Sequence, residues 1–162
     1  MKWTLTLEQD VQQCIVLRQM LRDLHLPFPP SPSDLVVVPT HRDPETGLAL
    51  SSRNMYLTPD DRPFAPLLVQ GLRAGERVLQ ERRKLSADAA VDAEEVLAAA
   101  RRVVEEGAAR APAGRVRLDY YALNDPQTLQ PLTKIESGAL FSGAMWVGRT
   151  RLIDNLSVGV TL

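Results

Sequence analysis

Apolar and polar positions along the chain fall into two periods. Trp3, Leu5 and Leu7 alternate with Lys2, Thr4 and Thr6, the period of a half-buried strand. Over residues 8–24 the apolar set Val11, Cys14, Ile15, Leu17, Met20, Leu21 and Leu24 recurs at helical spacing, with Arg18, Arg22 and Asp23 outside it. Thr6 and Gln9 suit a capping box at its start. Pro27-Phe28-Pro29-Pro30-Ser31-Pro32-Ser33 cannot continue a helix and reads as an extended connector. Leu35-Val36-Val37-Val38 then has no polar face, as expected of a strand covered on both sides in a parallel sheet. A right-handed crossover brings it beside the first strand. Two strands and one helix do not cover both faces of this run, so further cover is expected, from a missing part of the fold or from another chain.

The rest of the chain predicts two helices and a small antiparallel sheet. Thr58, Pro59 and Asp61 supply a capping hydroxyl, a first-position proline and a carboxylate near the positive helix end. Pro63 and Pro66 disturb the next turns, so the regular helix is expected to settle after them and run to about residue 83. Ser86 opens a second helix to about residue 106, with Gly107 as its terminator and its Glu94-Glu95 and Arg101-Arg102 pairs on a solvated face. Residues 116–123, 139–147 and 151–158 read as strands, the last two joined as a hairpin through Gly148. Tyr120, Tyr121 and Trp146 are expected to pack the sheet.

Composition narrows the function classes. The 162 residues carry a net charge of −1, which argues against a nucleic-acid partner and fits one domain or two small lobes. No apolar run approaches the roughly 20 residues of a membrane helix, and the N-terminus lacks the basic-then-apolar pattern of a signal peptide. A soluble cytoplasmic protein is expected. Cys14, the single cysteine, cannot form an internal disulfide, and its apolar surroundings suit a buried thiol. His25 and His41 are the only histidines, too few and too scattered for a protein-built zinc site.

The candidate chemistry lies in residues 39–54. Ser51 and Ser52 offer hydroxyls, Arg53 offers a planar fork of donors suited to phosphate oxygens, and Gly47 lets the backbone turn tightly behind them. Such a loop suits a nucleotide triphosphate. A solvated turn uses the same residue types, and the residues alone leave both readings open. Likewise Glu8 and Asp10 suit the first turn of a helix by charge, and Gln12 and Gln13 are ordinary helix formers.

Three stretches together resemble the pantothenate synthetase (pantoate–beta-alanine ligase) family. They are Val38-Pro39-Thr40 through Arg42-Asp43 to Gly47-Leu48-Ala49-Leu50-Ser51-Ser52-Arg53-Asn54-Met55-Tyr56-Leu57; Glu8-Gln9-Asp10-Val11-Gln12-Gln13 upstream; and Leu118-Asp119-Tyr120 with Gly148-Arg149-Thr150-Arg151-Leu152-Ile153-Asp154-Asn155 downstream. The match corresponds to the second half of a family member.

That resemblance implies an α/β fold. Residues 1–57 would form part of a parallel, Rossmann-like nucleotide-binding unit with the ATP-phosphate loop, and residues 58–162 a small α+β lobe with a mainly antiparallel sheet. It implies ATP-dependent condensation of pantoate with beta-alanine through pantoyl adenylate, assisted by Mg2+. Ser51, Ser52 and Arg53 would contact the triphosphate, Arg53 taking the charge that builds on departing pyrophosphate. Asp10 would bind the ribose, Gln13 would hold pantoate, and Val38 and His41 would lie by the adenine; no residue is assigned to a metal. Two departures stand out: Gln9 occupies the position of a family lysine, and the family's histidine-bearing nucleotide motif belongs to its first half. Little or no turnover is therefore expected from this chain alone. The rival reading is a noncatalytic remnant serving as an interaction module, pairing with itself or with a complete subunit.

Overall fold

A computed structural model describes residues 10–25, 35–86 and 89–160, together with the backbone of residues 3–4. Strand β1 (Trp3–Thr4) pairs in parallel with β2 (Leu35–Val36), and helix α1 (Val11–Leu24) lies between them in the chain. This is the expected strand–helix–strand unit. Asp10 caps α1, its Oδ1 accepting from the Gln13 amide at 3.3 Å; the expected Thr6–Gln9 box lies outside the described residues. Val11, Cys14, Ile15 and Leu21 are buried, whereas Val16, Met20 and Leu24, four residues apart, are exposed at 56%, 38% and 60%. The apolar run that follows is only partly covered, with Leu35 buried, Val36 and Val37 half-buried and Val38 exposed.

The proline effects in the second half fall where the sequence places them. Asp61 Oδ2 accepts from the Thr58 hydroxyl at 2.7 Å, a short 3-10 turn spans Arg62–Phe64, and regular helix α2 (Leu67–Leu85) begins after Pro66. The following helix starts later than its expected opening at Ser86. Val91–Asp92 forms a short strand, β3, and the Asp92 carboxylate caps α3 (Ala93–Ala108) by accepting from the Glu94 amide at 2.8 Å. Gly107 lies inside α3 rather than past its end, where it admits the buried side chain of Leu67. Arg82–Glu95 and Arg101–Glu94 are exposed ion pairs, the solvated face expected.

Strands β4 (Val116–Asn124), β5 (Lys134–Ile135), β6 (Ala139–Val147) and β7 (Thr150–Val158) complete the chain. β3 pairs with β5, and the main sheet has the antiparallel order β4-β6-β7. Gly148, at φ +56°, turns β6 into β7 as a tight hairpin. A bulge at Asp119 shifts the alternation of β4, so that Val116 and Leu118 before it and Tyr121 and Leu123 after it all face the helices. Phe141, Met145 and Val147 of β6 are fully enclosed between that face and α2/α3. The helices meet closely because Gly71 and Gly75, one turn apart on α2, present no side chain to the Ala100 and Val96 carbonyls of α3. Among the described residues no helix is long and apolar enough to cross a membrane.

Candidate active site

Residues 41–50 fold as a small hairpin. Arg42 faces Ala49 across an antiparallel bridge, Leu50 N donates to His41 O at 2.8 Å, and Asp43 N donates to Leu48 O at 2.8 Å. The turn is closed by Asp43, whose Oδ1 accepts from the Thr46 hydroxyl at 2.7 Å and from the Thr46 and Glu45 amides at 2.8 and 3.1 Å. These bonds hold the Asp43 carboxyl below its ordinary pKa, the Thr46 hydroxyl being the first cause. Gly47 leaves the turn at φ +75°, the left-handed backbone its lack of a side chain permits. Ser51, Ser52 and Arg53 follow at once, entering a 3-10 turn (Ser52–Tyr56) that packs against β7.

The hairpin is fastened to the sheet by a buried ion pair. Arg42 Nη1 and Nη2 donate to Asp154 Oδ2 and Oδ1 at 2.6 and 2.9 Å, and Nη2 also reaches the Asn155 carbonyl at 3.2 Å. Asp154 is 4% exposed and Arg42 18%, so the pair is largely shielded from water. A second fastener closes the far end: Asn54 Nδ2 donates to the Ala49 carbonyl at 2.9 Å, and its buried Oδ1 has no hydrogen-bond partner among the described residues. Sequence reasoning gave Arg42 and Asp154 no role, because partners 112 positions apart show only as two opposite charges in a linear chain, and it gave Asn54 none.

A cleft of about 220 Å³ opens beside this loop, and its walls bring together Asp10, Ser51, Ser52, Arg53 and Asn54 over a floor that includes Leu68, Val69, Leu152 and Ile153. Ser51 is half-buried, while Ser52 and Arg53 are exposed; Arg53 has no carboxylate partner among the described residues. Ser51, Ser52, Arg53 and Asp10 therefore line one space, the Ser51 hydroxyl also accepting from the Arg53 amide at 3.3 Å. The remaining expected site residues stand outside that wall. Gln13 is exposed and contributes its backbone amide to Asp10, Val38 is exposed on the stretch leading into the hairpin, and His41 is exposed at the hairpin's first position. Beneath the cleft Tyr121, buried, donates from its hydroxyl to the Leu68 carbonyl at 2.8 Å, and burial, with the Asp154 charge second, raises its pKa well above the ordinary value.

Residues 4–157 match the family model described as pantoate-beta-alanine ligase. The chain belongs to the pantoate-beta-alanine ligase family. The pantothenate synthetase of Moorella thermoacetica is 38% identical over 153 residues, which cover 94% of this chain and 47% of that protein. That of Salinispora arenicola is 44% identical over 151 residues, covering 93% and 46%. Among solved structures, pantothenate synthetase from Thermus thermophilus superposes with a TM-score of 0.74 at 37% identity, over 94% of this chain and 48% of that one. A pantoate-beta-alanine ligase from Francisella tularensis, solved as a complex with beta-gamma ATP and beta-alanine, gives 0.53 at 25% identity, over 98% and 44%. The family resemblance and the α/β fold expected from sequence are thus both found. The chain spans about half the length of the curated relatives it matches.

Proposed function

We infer that this chain carries the nucleotide-phosphate wall of an adenylate-forming pantoate–beta-alanine ligase active site. In that chemistry a pantoate carboxylate oxygen attacks the α-phosphorus of ATP and expels pyrophosphate, and the amine of beta-alanine then attacks the acyl carbon and expels AMP. The observation that supports the reading is the convergence of Asp10 with Ser51, Ser52 and Arg53 on one cleft, from positions about forty residues apart in sequence. The hydroxyls and the guanidinium would donate to phosphate oxygens as charge builds on the departing pyrophosphate, work in which one preorganised donor supplies roughly 10²–10³ in rate. Asp10 would accept from the ribose hydroxyls, Gln13 would meet pantoate, and Val38 and His41 would flank the adenine. The described residues contain no cluster of three His, Cys, Asp or Glu, so Mg2+ would enter on the nucleotide phosphates rather than in a protein-built cage. A cytoplasmic setting accords with this chemistry.

Titration with MgATP tests the phosphate role. Arg53→Ala removes a charge-assisted bond of about 1.5–3 kcal/mol, so the affinity falls by about ten- to a hundredfold; unchanged binding refutes the assignment. Pyrophosphate release from ATP with pantoate tests the chain's sufficiency. Little turnover is expected from a chain that spans about half the length of its relatives, and turnover within about tenfold of a full-length enzyme would overturn that expectation.

A second reading, an interaction module that pairs with itself or with a complete subunit, is favoured by the exposed Val16–Met20–Leu24 stripe and exposed Val38. Size-exclusion chromatography with light scattering decides it: a stable monomer at all concentrations counts against self-pairing, and no complex on mixing with a complete synthetase counts against the other.

A further inference from the structure

Asp154 lines the cleft, but both of its oxygens are already engaged by protein donors. Its Oδ2 accepts from Arg42 Nη1, and its Oδ1 accepts from Arg42 Nη2 and from the Asn155 amide at 2.8 Å. Arg42 is equally engaged, its Nη1 reaching the Gly47 carbonyl at 3.3 Å besides the carboxylate. We propose that Asp154, acting through Arg42, is a positioning residue that sets where Ser51, Ser52 and Arg53 stand relative to Asp10. This rests on the phosphate reading of that loop.

Three features carry the inference. The pair is bidentate, so it fixes a distance and a plane, which the apolar contacts of Leu48 and Ala49 cannot do alone. It is largely buried, so the fork is not loosened by competing water. And Arg42 faces Ala49 directly, two residues before Ser51, with the next rung made by Leu50 N on His41 O. A displacement of the Arg42 guanidinium relative to β7 is therefore passed through hydrogen-bonded rungs to the serine pair. Lysine at position 42 would keep the charge and lose the fork. Methionine at 42 with leucine at 154 would remove the pair while leaving no unpaired buried charge.

Two readouts on Arg42→Lys and on the Arg42→Met/Asp154→Leu double variant test the assignment. Amide hydrogen exchange needs no nucleotide. The Leu50 and Asn54 amides, bonded to His41 O and Ser51 O, are expected to exchange at least about tenfold faster, with the amides of β6, and those of β7 other than Asn155, unchanged. MgATP affinity is expected to fall about tenfold in the same variants while the urea midpoint of Arg42→Lys stays close to that of the parent. Loop amides as protected as in the parent overturn the proposal. So does a loosened loop that binds MgATP as tightly as the parent while Arg53→Ala binds it weakly. If Arg53→Ala binds as the parent does, the phosphate reading itself falls, and the exchange rates then decide alone whether the pair positions the loop.

Discussion

Gly71→Ala sets two physical effects of opposite sign against each other. In an exposed helix interior alanine is favoured over glycine by about 0.8–1 kcal/mol, so propensity alone predicts a gain. The packing predicts the reverse. A methyl group at position 71 would stand 2.1 Å from the Tyr121 hydroxyl oxygen and 2.9 Å from the Ala100 carbonyl oxygen of α3. Tyr121 is held at both ends, by its bond to the Leu68 carbonyl and by its tilted contact with Phe141 at a ring separation of 5.7 Å. Moving it gives up a hydrogen bond of about 0.5–1.5 kcal/mol. Pushing α2 from α3 adds an overpacking cost of about 1–3 kcal/mol. After the propensity gain, a net destabilisation of about 1–3 kcal/mol is expected, read as a lower urea midpoint at unchanged slope. Adding Tyr121→Phe removes the atom 2.1 Å away but leaves the α3 carbonyl, so the double variant is expected to recover about 0.5–1.5 kcal/mol of coupling rather than the whole loss. A Gly71→Ala protein as stable as the parent, or more so, would show that the helices are not held at this spacing.

Asp61 makes stability depend on acid. Its carboxyl is held below the ordinary 3.8, first by the Thr58 hydroxyl and also by the Arg115 charge, so its contribution is full above that value and is lost as pH falls through the lower folded-state pKa. Asp61→Asn is therefore expected to lower the thermal midpoint most near neutral pH, with the gap to the parent closing as pH falls below about 4; a gap constant with pH would refute the linkage. Helix α1 is the element expected to open first, because Val11, Ile15 and Leu140 with Leu129 form a small cluster apart from the main core. Amides in its middle turns should exchange at least about tenfold faster than those of β6, and equal protection would mean that α1 unfolds only with the lobe.

The fold was legible wherever one local signal decided it. Pro63 and Pro66 delay α2, Gly148 makes the β6–β7 turn, and alternation marks β6 and β7 as strands. Misplaced elements had competing signals. Ser86 is a sound capping residue, but Val91 pairs with Ile135, and this strand contact, invisible locally, moves the start of α3 to Asp92. Gly107 has the composition of a terminator, yet its lack of a side chain is used to admit Leu67. At the proposed site, Ser51, Ser52, Arg53 and Asp10 stand out in the sequence as candidates because each side chain and the family motif carry the signal. The Arg42–Asp154 clamp does not, since it depends on which face of β7 turns towards the hairpin, a matter of register and not of residue type.

Chain order and spatial attachment divide this molecule differently, and the difference bears on how the cleft is held. A sequence boundary after Leu57 assigns the serine pair and Asp10 to one unit. In space each wall of the cleft has its own anchor on the β4-β6-β7 sheet. The loop is fixed to β7 by the Arg42–Asp154 fork, whereas the α1 end bearing Asp10 rests through Val11 and Ile15 on Leu140 of β6. The first anchor is directional and mostly buried; the second is a non-directional apolar contact of a few side chains. Within this chain, then, the side of the cleft bearing Ser51, Ser52 and Arg53 is set more strictly than the side bearing Asp10. The face of α1 carrying Val16, Met20 and Leu24 lies open, and apolar cover there would bear on the wall that the sheet holds least tightly.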